Sequence, residues 1–425
     1  MNEIKIKELV TKIISVTLKD FQDASIAFRF WDGSEFNPNK TDSPALTVIL
    51  RDPEGFLGLL TNPDELALAE AYFSDVFDLE GDLSVAVLLG ESLGKKKWSK
   101  TELAKLAGNA ISLSVRSFIN KQSSSFRGKG KAHTVARDKE AVSYTYDTSN
   151  DFYALWLDKN MIYSGAYFPR RDATVDEAQD TKLEYICKKL LLKHGETLLD
   201  IGCGWGALVI HAAKNYGVKA TGVTLSKQQA DFANAKIRQL GLQDKCEVKL
   251  MDYREVPEAR QFDKIASVEM LHHVGEEVLP EYFRKIRALL KPGGISFQLG
   301  ITTLPAKGKY KSPAFADKYF MPDYHLVSIS TYLDHAEKQG FEIYDLEDVR
   351  EHYYLTSKHW LSRLEARHND ALKYVNEFTY RVVRLSLFLM MAGFQKGMMG
   401  FYHFILLDKK TDIESLPVSR EGIKN

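Results

Sequence analysis

The sequence predicts an α/β protein whose main domain is a doubly wound, mostly parallel sheet, preceded by a smaller α+β domain. The leading observation is the stretch "TLLDIGCGWGAL", in which an apolar run at 197–201 leads directly into Gly202, Gly204 and Gly206. The apolar residues that follow have helical spacing. A buried strand, a glycine turn and a helix together form the first crossover of such a sheet.

Alternation of strand-like and helix-like segments predicts the rest of this sheet. The later strands are predicted at "KATGVTL", "CEVKLMDY", "FDKIASVEM", "GISFQLGIT" and, near the end of the chain, "YHFILLDKK". Helical stretches separate them, as expected for right-handed crossovers between parallel strands.

The length of 425 residues exceeds one ordinary core, so we expect two domains. Residues 1–115 form the first, because "SIAFRFWDGSEF" predicts a hairpin with Asp32 and Gly33 at its turn and "NPDELALAEAYFSD" predicts a helix capped by its asparagine. Residues 141–425 form the second and larger domain. Residues 116–140 predict a basic linker between them.

The linker carries seven Lys or Arg residues against one Asp between 116 and 139, together with Phe118 and Phe126. Such a segment is either a solvated connection or a surface that adheres to anionic lipid headgroups, with the two rings adding interfacial burial. The sequence leaves both interpretations open.

Composition excludes several classes of protein. Acidic and basic residues balance at 57 each, which argues against a general nucleic-acid binder. Cys187, Cys203 and Cys246 lack the spacing of a metal site, so we expect no metal and a reduced, cytoplasmic protein. The N-terminus is charged throughout, unlike a signal peptide, and the most apolar stretch, at 385–394, is too short to span a bilayer.

Three features around the glycine turn indicate its ligand. Asp200 lies in the strand that leads into the glycines, and the next strand ends in "GVTLS" rather than in the acidic residue that holds an NAD ribose. "MDYRE" follows the third strand and places Asp252 where it can accept a hydrogen bond from an adenine amino group. These features fit S-adenosylmethionine in a Rossmann-like class I methyltransferase better than NAD, which is the alternative.

Six motifs, in this order and spacing, carry a family resemblance: "YTYDTSNDFYALWLDKNMIYSGAYF", "LLDIGCGWGAL", "GVTLSKQQADFA", "MDYREV", "FDKIASVEMLHHVG" and "LLKPGGISF". Residues 140–410 closely resemble the cyclopropane-fatty-acyl-phospholipid synthase and mycolic-acid methyltransferase family. Residues 1–115 are more loosely similar to the lipid-associated domain of the longer bacterial synthases.

The resemblance implies methyl transfer from S-adenosylmethionine to the cis double bond of an unsaturated phospholipid acyl chain, through a carbocation that closes to a cyclopropane. It implies a peripheral enzyme at the inner face of the membrane, with a homodimer as one possible assembly. It also implies a cofactor site formed by Tyr146, Tyr163, Ser164, Gly202, Gly204, Thr224, Gln229 and Asp252, to which the acidic residue before the glycines, Asp200, is added.

The chain departs from the family at the site where the synthases hold a bicarbonate ion that takes up the released proton. That site uses a cysteine, a glutamate, a histidine and a tyrosine. Here Gly165 stands at the cysteine position, His272 at the glutamate position and Leu299 at the histidine position, and only the tyrosine is kept, as Tyr353. The clustering of these changes indicates that the anion site is dismantled or rebuilt.

Three fates for the cation stay open. His272 can act as the base, since imidazole titrates near neutral pH. Glu269, at the end of the fourth strand, can orient His272 or act as the base itself. Alternatively no base faces the new methyl group, and a hydride shift leads to a methyl or methylene branch. Tyr163 and Tyr353 are candidates for stabilising the cation with their ring faces.

An acyl substrate needs an apolar channel. The segments "SPAFADKYFMPDYHL" and "FTYRVVRLSLFLMMAGFQKGMMGFYHF" are rich in aromatic residues, Leu and Met, and predict helical insertions that form a lid over the lipid or, alternatively, ordinary core. Two other functions remain possible: a soluble small-molecule methyltransferase, and a non-catalytic protein that binds lipid or cofactor.

Overall fold

The computed structural model describes residues 3–21, 25–38, 43–61, 64–95, 125–126, 128–147, 149–304 and 313–419. The chain divides into two compact units. The first unit comprises Met1–Ser125, Pro313–Tyr319 and Asn376–Leu385, and the second comprises Phe126–Ser312, Phe320–Val375 and Ser386–Asn425. The first unit thus includes two late segments that lie in the larger of the two predicted domains, and the division at residues 115 and 141 stays a prediction.

The strands of the described residues are, in chain order, β1 (Ile26–Arg29), β2 (Glu35–Phe36), β3 (Leu46–Leu50), β4 (Phe77–Gly81), β5 (Thr197–Ile201), β6 (Lys219–Thr224), β7 (Cys246–Leu250), β8 (Phe262–Val268), β9 (Leu290–Thr303), β10 (Phe341–Asp348) and β11 (Met399–Asp408).

The α-helices of the same residues are α1 (Glu3–Thr17), α2 (Pro53–Thr61), α3 (Glu65–Phe73), α4 (Leu83–Lys95), α5 (Val135–Tyr146), α6 (Asn150–Ala154), α7 (Val175–Lys189), α8 (Ala207–Tyr216), α9 (Lys227–Gln239), α10 (Leu279–Leu289), α11 (Ala314–Tyr319), α12 (Ile329–Lys338), α13 (Arg350–Ala366), α14 (His368–Ala371) and α15 (Glu377–Gln395).

The sheet of the first unit has the order β2-β1-β3-β4. β1 and β3 run parallel, whereas both outer pairs are antiparallel. The predicted hairpin is present, and Gly33 at its turn has a φ of +80°. Helix α3 is capped by Asp64, whose side chain accepts from the Ala67 amide; the asparagine predicted as its cap lies outside the described residues.

The sheet of the second unit has the order β10-β11-β9-β8-β5-β6-β7. The strands from β9 to β7 pair in parallel, and β11 inserts antiparallel between β9 and β10. β5 lies between β6 and β8, and the strand order reverses there, because β6 and β7 follow on one side of β5 and β8 and β9 on the other. In sheets of this type, ligands bind at the carboxyl ends of the strands beside such a reversal. The predicted α/β class with a mostly parallel sheet and helical insertions is confirmed.

Burial follows from the layered architecture. Leu198 and Leu199 on β5 and Ile265 on β8 are fully buried, as expected for parallel strands that are covered on both faces. Tyr282 of α10 is also fully buried and bonds through its hydroxyl to Ser267 and Gln298. Two buried polar side chains inside the sheet, Ser267 of β8 and Gln298 of β9, are thus linked through Tyr282.

The predicted basic linker is described only in part. Residues 116–124, with Phe118, and residue 127 lie outside the described residues. Helix α5 begins at Val135, inside the predicted linker. Phe126 packs on Tyr144, with 5.3 Å between ring centroids, and lies under the Arg137 guanidinium. Within the described ranges, the helices are all too short or too polar to cross a bilayer.

Candidate active site

The loop after β5 has a backbone that only glycine adopts readily. Gly202, Gly204 and Gly206 have φ values of +75°, +53° and +83°, in the left-handed region. A Cβ on Gly202 would lie 2.9 Å from the Met270 side chain, and one on Gly206 would lie 2.9 Å from Ala233. The loop therefore packs directly against the segment after β8 and delivers the chain into the N-terminus of α8.

Asp200, immediately before this loop, is a buried acceptor. Its side chain is 3% exposed, and among the described residues its Oδ1 has no hydrogen-bond partner. Burial raises the pKa of the carboxyl to about 7, and the charge of Lys182 opposes this shift. An unpaired buried acceptor costs about 1–3 kcal/mol, so the site favours a ligand with donor groups, such as the amino acid or ribose moiety of S-adenosylmethionine.

The ends of β6 and α5 are tied together beside the loop. Thr224 donates from Oγ1 to Gln229 Oε1 at 2.7 Å, which leaves the Gln229 amide nitrogen to donate elsewhere. Ser226, the cap of α9, donates to Asp147 at 2.5 Å, and Gln228 donates to the Asp147 carbonyl at 2.8 Å. These bonds fix Asp147, the residue after Tyr146, against the turn between β6 and α9.

Asp252, predicted to accept from an adenine amino group, is oriented by its neighbour. Its carboxylate accepts from the Arg254 amide at 2.9 Å, from Arg254 Nε at 2.8 Å and from Arg254 Nη2 at 2.6 Å. Arg254 also donates to Asp138 and to the His133 carbonyl. Carboxylate oxygens accept more than one bond, so the adenine contact of Asp252 stays a prediction, and Arg254 is a residue that sequence reasoning missed.

Aromatic rings cluster near the glycine loop. The Tyr163 ring lies 6.0 Å from Tyr146, 5.1 Å from Trp156 and 5.3 Å from Trp360, measured between centroids. Trp205, from the glycine loop itself, lies 6.5 Å from Tyr146. Electron-rich ring faces attract cations, so this cluster suits a sulfonium or carbocation. The three tryptophans were not predicted, although the loop sequence "GCGWG" displays one of them.

Ser164 follows Tyr163 and is held from helix α7. Its Oγ accepts from Lys182 Nζ at 2.6 Å, and its carbonyl accepts from Gln179 Nε2 at 2.8 Å. Lys182 is only 4% exposed, and burial lowers the pKa of its ammonium while nearby carboxylates oppose that effect. Neither Lys182 nor Gln179 was predicted, because nothing in the helix sequence distinguishes them from surface residues.

Glu269, directly after β8, is held by two donors. Its Oε1 accepts from the Gly165 amide at 2.5 Å and its Oε2 from the Tyr353 hydroxyl at 2.9 Å. Its backbone has a φ of +56°, an unusual conformation for a residue with a Cβ. Burial raises the pKa of the Glu269 carboxyl, and Lys182, the Gly165 amide and the Tyr353 hydroxyl each oppose the shift.

Gly165 leaves room for this arrangement. A Cβ there would lie 2.7 Å from the Phe401 ring and 2.8 Å from the Tyr353 ring. Tyr353 stacks on Phe394 at 4.4 Å and meets Phe401 edge-on at 4.7 Å. The Glu269 carboxylate thus lies beside a cluster of aromatic rings. A cysteine at position 165 would collide with the Phe401 and Tyr353 rings unless these rings moved.

His272 lies in a different environment from Glu269. Its ring is 4.5 Å from His273 and 4.8 Å from Tyr324 between centroids, and its side chain is 2% exposed. Burial and the neighbouring His273 hold the pKa of His272 well below its usual range. Of the two roles left open for Glu269, orienting His272 has no hydrogen bond to support it among the described residues, where Glu269 bonds to Gly165 and Tyr353.

A second buried polar cluster lies between β10, β11 and α7. Asp345, Glu347 and His403 each place one ligand atom within reach of a common ion. Lys189 already supplies positive charge there, because its Nζ donates to Asp345 at 2.5 Å and lies 3.6 Å from Glu347. Tyr185 donates to Glu347 at 2.5 Å. This pattern is that of a satisfied ionic core.

Comparison with known proteins gives the same family from sequence and from structure. A family model described as mycolic acid cyclopropane synthetase matches residues 133–404. A probable fatty acid methyltransferase from Pseudomonas putida is 34% identical over 402 residues, covering 94% of this chain and 96% of that protein. A sphingolipid C9-methyltransferase from Gibberella zeae is 37% identical over 54% of this chain and 46% of its own length.

The mycolic acid cyclopropane synthase CmaA1, in a crystal structure with SAH (S-adenosylhomocysteine) and CTAB, is 30% identical with a TM-score of 0.60, over 64% of this chain and 98% of its own. The predicted family resemblance and the predicted preference for S-adenosylmethionine over a dinucleotide are confirmed. The chain belongs to the mycolic acid cyclopropane synthetase family of S-adenosylmethionine-dependent methyltransferases.

Proposed function

We propose that the chain methylates a carbon–carbon double bond in the acyl chain of a membrane lipid, and that Glu269 takes up the proton released afterwards. The observation that carries this proposal is the Glu269 carboxylate, held by the Gly165 amide at 2.5 Å and the Tyr353 hydroxyl at 2.9 Å. By resemblance, Tyr353 is the residue of the family's bicarbonate site that this chain keeps. The Glu269 carboxylate accepts the hydrogen bond that Tyr353 would otherwise donate to a bicarbonate ion.

The position of Glu269 relative to the cofactor loop supports this role. β5 and β8 are neighbouring parallel strands, with Ile201 paired to Ser267. Met270, the residue after Glu269, lies within van der Waals reach of Gly202, since a Cβ there would be 2.9 Å from the Met270 side chain. The carboxyl ends of such strands meet at the ligand-binding edge of the sheet, so the proton acceptor and the cofactor loop share that edge.

S-adenosylmethionine would supply an electron-poor methyl carbon. The π electrons of the alkene would form the new C–C bond as the S–CH3 bond breaks, with S-adenosylhomocysteine as the leaving group and a carbocation left on the acyl chain. Rings such as Tyr163 stabilise positive charge by about 2 kcal/mol when desolvated. Glu269 accepts the proton as an ionised carboxylate, which a general base requires. His272 is the weaker candidate, because its depressed pKa makes it a poorer proton acceptor.

The substrate class comes from the relatives and from the apolar surroundings. One relative is named a fatty acid methyltransferase and another a sphingolipid C9-methyltransferase. Phe394 and Phe401, both 1% exposed, line Tyr353 beside the carboxylate. We take an unsaturated phospholipid acyl chain as substrate, with a methyl- or methylene-branched product favoured by the relatives' names and a cyclopropane as the alternative.

The place of action follows from the substrate. We infer that the chain works as a peripheral protein at the inner face of the cytoplasmic membrane, where the basic segment 116–140 would supply cations for anionic headgroups. A homodimer, implied by the family resemblance, is part of the same hypothesis. The helices of the second unit between β9 and β11 form the proposed lid over the lipid.

The test uses the full chain, vesicles of unsaturated phospholipid and S-adenosylmethionine with a trideuterated methyl group. We expect S-adenosylhomocysteine and a lipid that gains one carbon, measured by mass spectrometry. Sensitivity of the product to hydrogenation indicates a branch with a double bond, and resistance indicates a ring. Turnover of water-soluble acceptors without vesicle binding would support the soluble-substrate alternative, and cofactor binding without S-adenosylhomocysteine would support the non-catalytic alternative.

A further inference from the structure

One peptide group connects helix α7 to the proposed base. The carbonyl of Ser164 accepts from Gln179 Nε2 at 2.8 Å and from Lys182 Nζ at 3.4 Å. The amide of Gly165, on the other side of the same trans peptide, donates to Glu269 Oε1 at 2.5 Å. Because the C=O and N–H of a trans peptide point in opposite directions, the peptide lies between the Lys182 ammonium and the Glu269 carboxylate.

Lys182 is a costly residue at this position if it serves packing alone. Its side chain is 4% exposed, and its hydrogen bonds go to Ser164 Oγ and the Ser164 carbonyl. Within the part of the chain that the structure describes, no carboxylate forms an ion pair with it. A buried charge without a direct partner is strongly disfavoured, and a methionine would fill similar volume without that penalty.

The ionisable groups that face Glu269 come from four segments. They are Lys182 from α7, Tyr353 from α13, Tyr146 at the end of α5, and Tyr163 from the loop between α6 and α7. Lys182 in turn faces Asp158 and Asp200. Among these described groups Lys182 is the one cation, so the positive charge that favours an ionised Glu269 comes from α7.

We propose that Lys182 is a positioning residue for the proposed proton transfer: it fixes and polarises the Ser164–Gly165 peptide so that the Gly165 amide holds Glu269 as a carboxylate. A cation at a peptide carbonyl strengthens the hydrogen bond that the same peptide donates. A donor to the ionised form of a carboxyl favours that form. The inference rests on the proposed role of Glu269.

Variants of Gln179 and Lys182 distinguish the effect of the Lys182 charge from the effect of orienting the Ser164–Gly165 peptide. It holds the same carbonyl as Lys182, at a shorter distance and without charge. Lys182→Met therefore removes the cation and leaves one donor to orient the peptide, whereas Gln179→Leu removes that neutral donor and leaves the cation. Lys264→Met is a matched control, because Lys264 is also buried, at 7% exposed, and lies on β8 away from the Ser164–Gly165 peptide.

The experiment records the rate of S-adenosylhomocysteine formation on phospholipid vesicles against pH, with calorimetric binding of S-adenosylmethionine and thermal unfolding as checks. We expect Lys182→Met to move the acid limb of the profile upward by about one pH unit, with about a tenfold loss at neutral pH that recovers at high pH. Lys182→Arg restores part of the loss, Gln179→Leu moves the limb less, and Lys264→Met leaves it in place.

A folded Lys182→Met variant with an unshifted profile overturns the inference. If that variant does not fold, Lys182→Gln decides, because it keeps a donor near the Ser164 carbonyl but removes the charge, and an unshifted limb there also overturns the inference. The proposed function fails separately: if Glu269→Gln retains wild-type turnover, Glu269 is not the base, whatever the Lys182 variants do.

Discussion

The two sides of the ligand-binding edge in the second unit are built in different ways. On the cofactor side, the loop from Gly202 to Gly206 is one continuous segment whose three glycines all have positive φ values. On the proton side, Gly165, Glu269 and Tyr353 come from three separate segments; Gly165 and Glu269 are 104 residues apart, and Glu269 and Tyr353 are 84 apart. One side is specified by local backbone geometry, the other by tertiary contacts.

This difference predicts different consequences of mutation. Substitutions in the glycine loop should lower cofactor affinity and leave the pH profile of the bound enzyme unchanged. Substitutions around Glu269 should leave cofactor affinity nearly unchanged and alter turnover and its pH dependence. The following variants test that division, from the largest expected effect to the smallest.

Gly202→Val should abolish most cofactor binding. The left-handed φ of +75° and a Cβ 2.9 Å from Met270 impose both backbone strain and a steric conflict, together on the order of 2–6 kcal/mol. We expect the Kd for S-adenosylmethionine, measured by calorimetry, to rise at least about a hundredfold. Gly130→Val is the control for backbone strain alone, because Gly130 also has a left-handed φ, of +86°, but is exposed and a Cβ there would meet nothing within 4 Å. Wild-type affinity in Gly202→Val would contradict the assigned loop geometry.

Tyr353→Phe should reduce turnover by about tenfold, because it removes a hydrogen bond of 2.9 Å to a buried carboxylate. Loss of this donor raises the pKa of Glu269 further, so the acid limb of the pH–rate profile moves to higher pH. The measurement is S-adenosylhomocysteine formation on vesicles between acidic and alkaline pH. Tyr344→Phe removes another tyrosine hydroxyl, bonded to the Pro417 carbonyl, and should leave the limb in place.

The turnover rate of the wild-type chain should itself depend on pH, because Glu269 must be ionised to accept a proton. A base with a raised pKa is ionised above that pKa and protonated below it, so the rate at saturating substrates should fall as pH decreases toward the carboxyl's ordinary range. The midpoint should lie above that of a solvent-exposed glutamate, because burial raises the pKa of Glu269. A rate that is flat down to acidic pH would argue against a buried carboxylate base.

His272→Asn should have the smallest effect, a change in turnover of less than about threefold. The imidazole Nδ1 has no partner among the described residues, and its depressed pKa makes it a weak base. A loss of about a hundredfold with intact cofactor binding would instead assign the proton transfer to His272 and remove it from Glu269.

The sequence predicted the cofactor side of the site better than the proton side. The parallel sheet, the glycine loop and the cofactor were predictable, because strand periodicity and glycine spacing are local properties of the chain. The sequence offered Glu269 and His272 as alternatives. The partners that distinguish them, the Gly165 amide and Lys182, are joined to Glu269 only through packing of distant segments.

Lys182 illustrates what could not be predicted. A lysine on a helix is usually solvated, and its burial at 4% exposed follows from where α7 packs. The backbone amide of Gly165 carries no side-chain signal at all, since every residue except proline has one. Arg254 is a partial exception, because its position two residues after Asp252 made a local contact foreseeable.

The direct test of Glu269 as the proton acceptor is the turnover of Glu269→Gln on unsaturated phospholipid vesicles, measured as S-adenosylhomocysteine and as methylated lipid in the same samples. The glutamine keeps the shape and the hydrogen-bonding oxygen but cannot accept the proton, so we predict a fall of about a hundredfold or more with cofactor affinity within about twofold. Turnover within about threefold of the wild type, with the same lipid product, would contradict the assignment of Glu269 as the base.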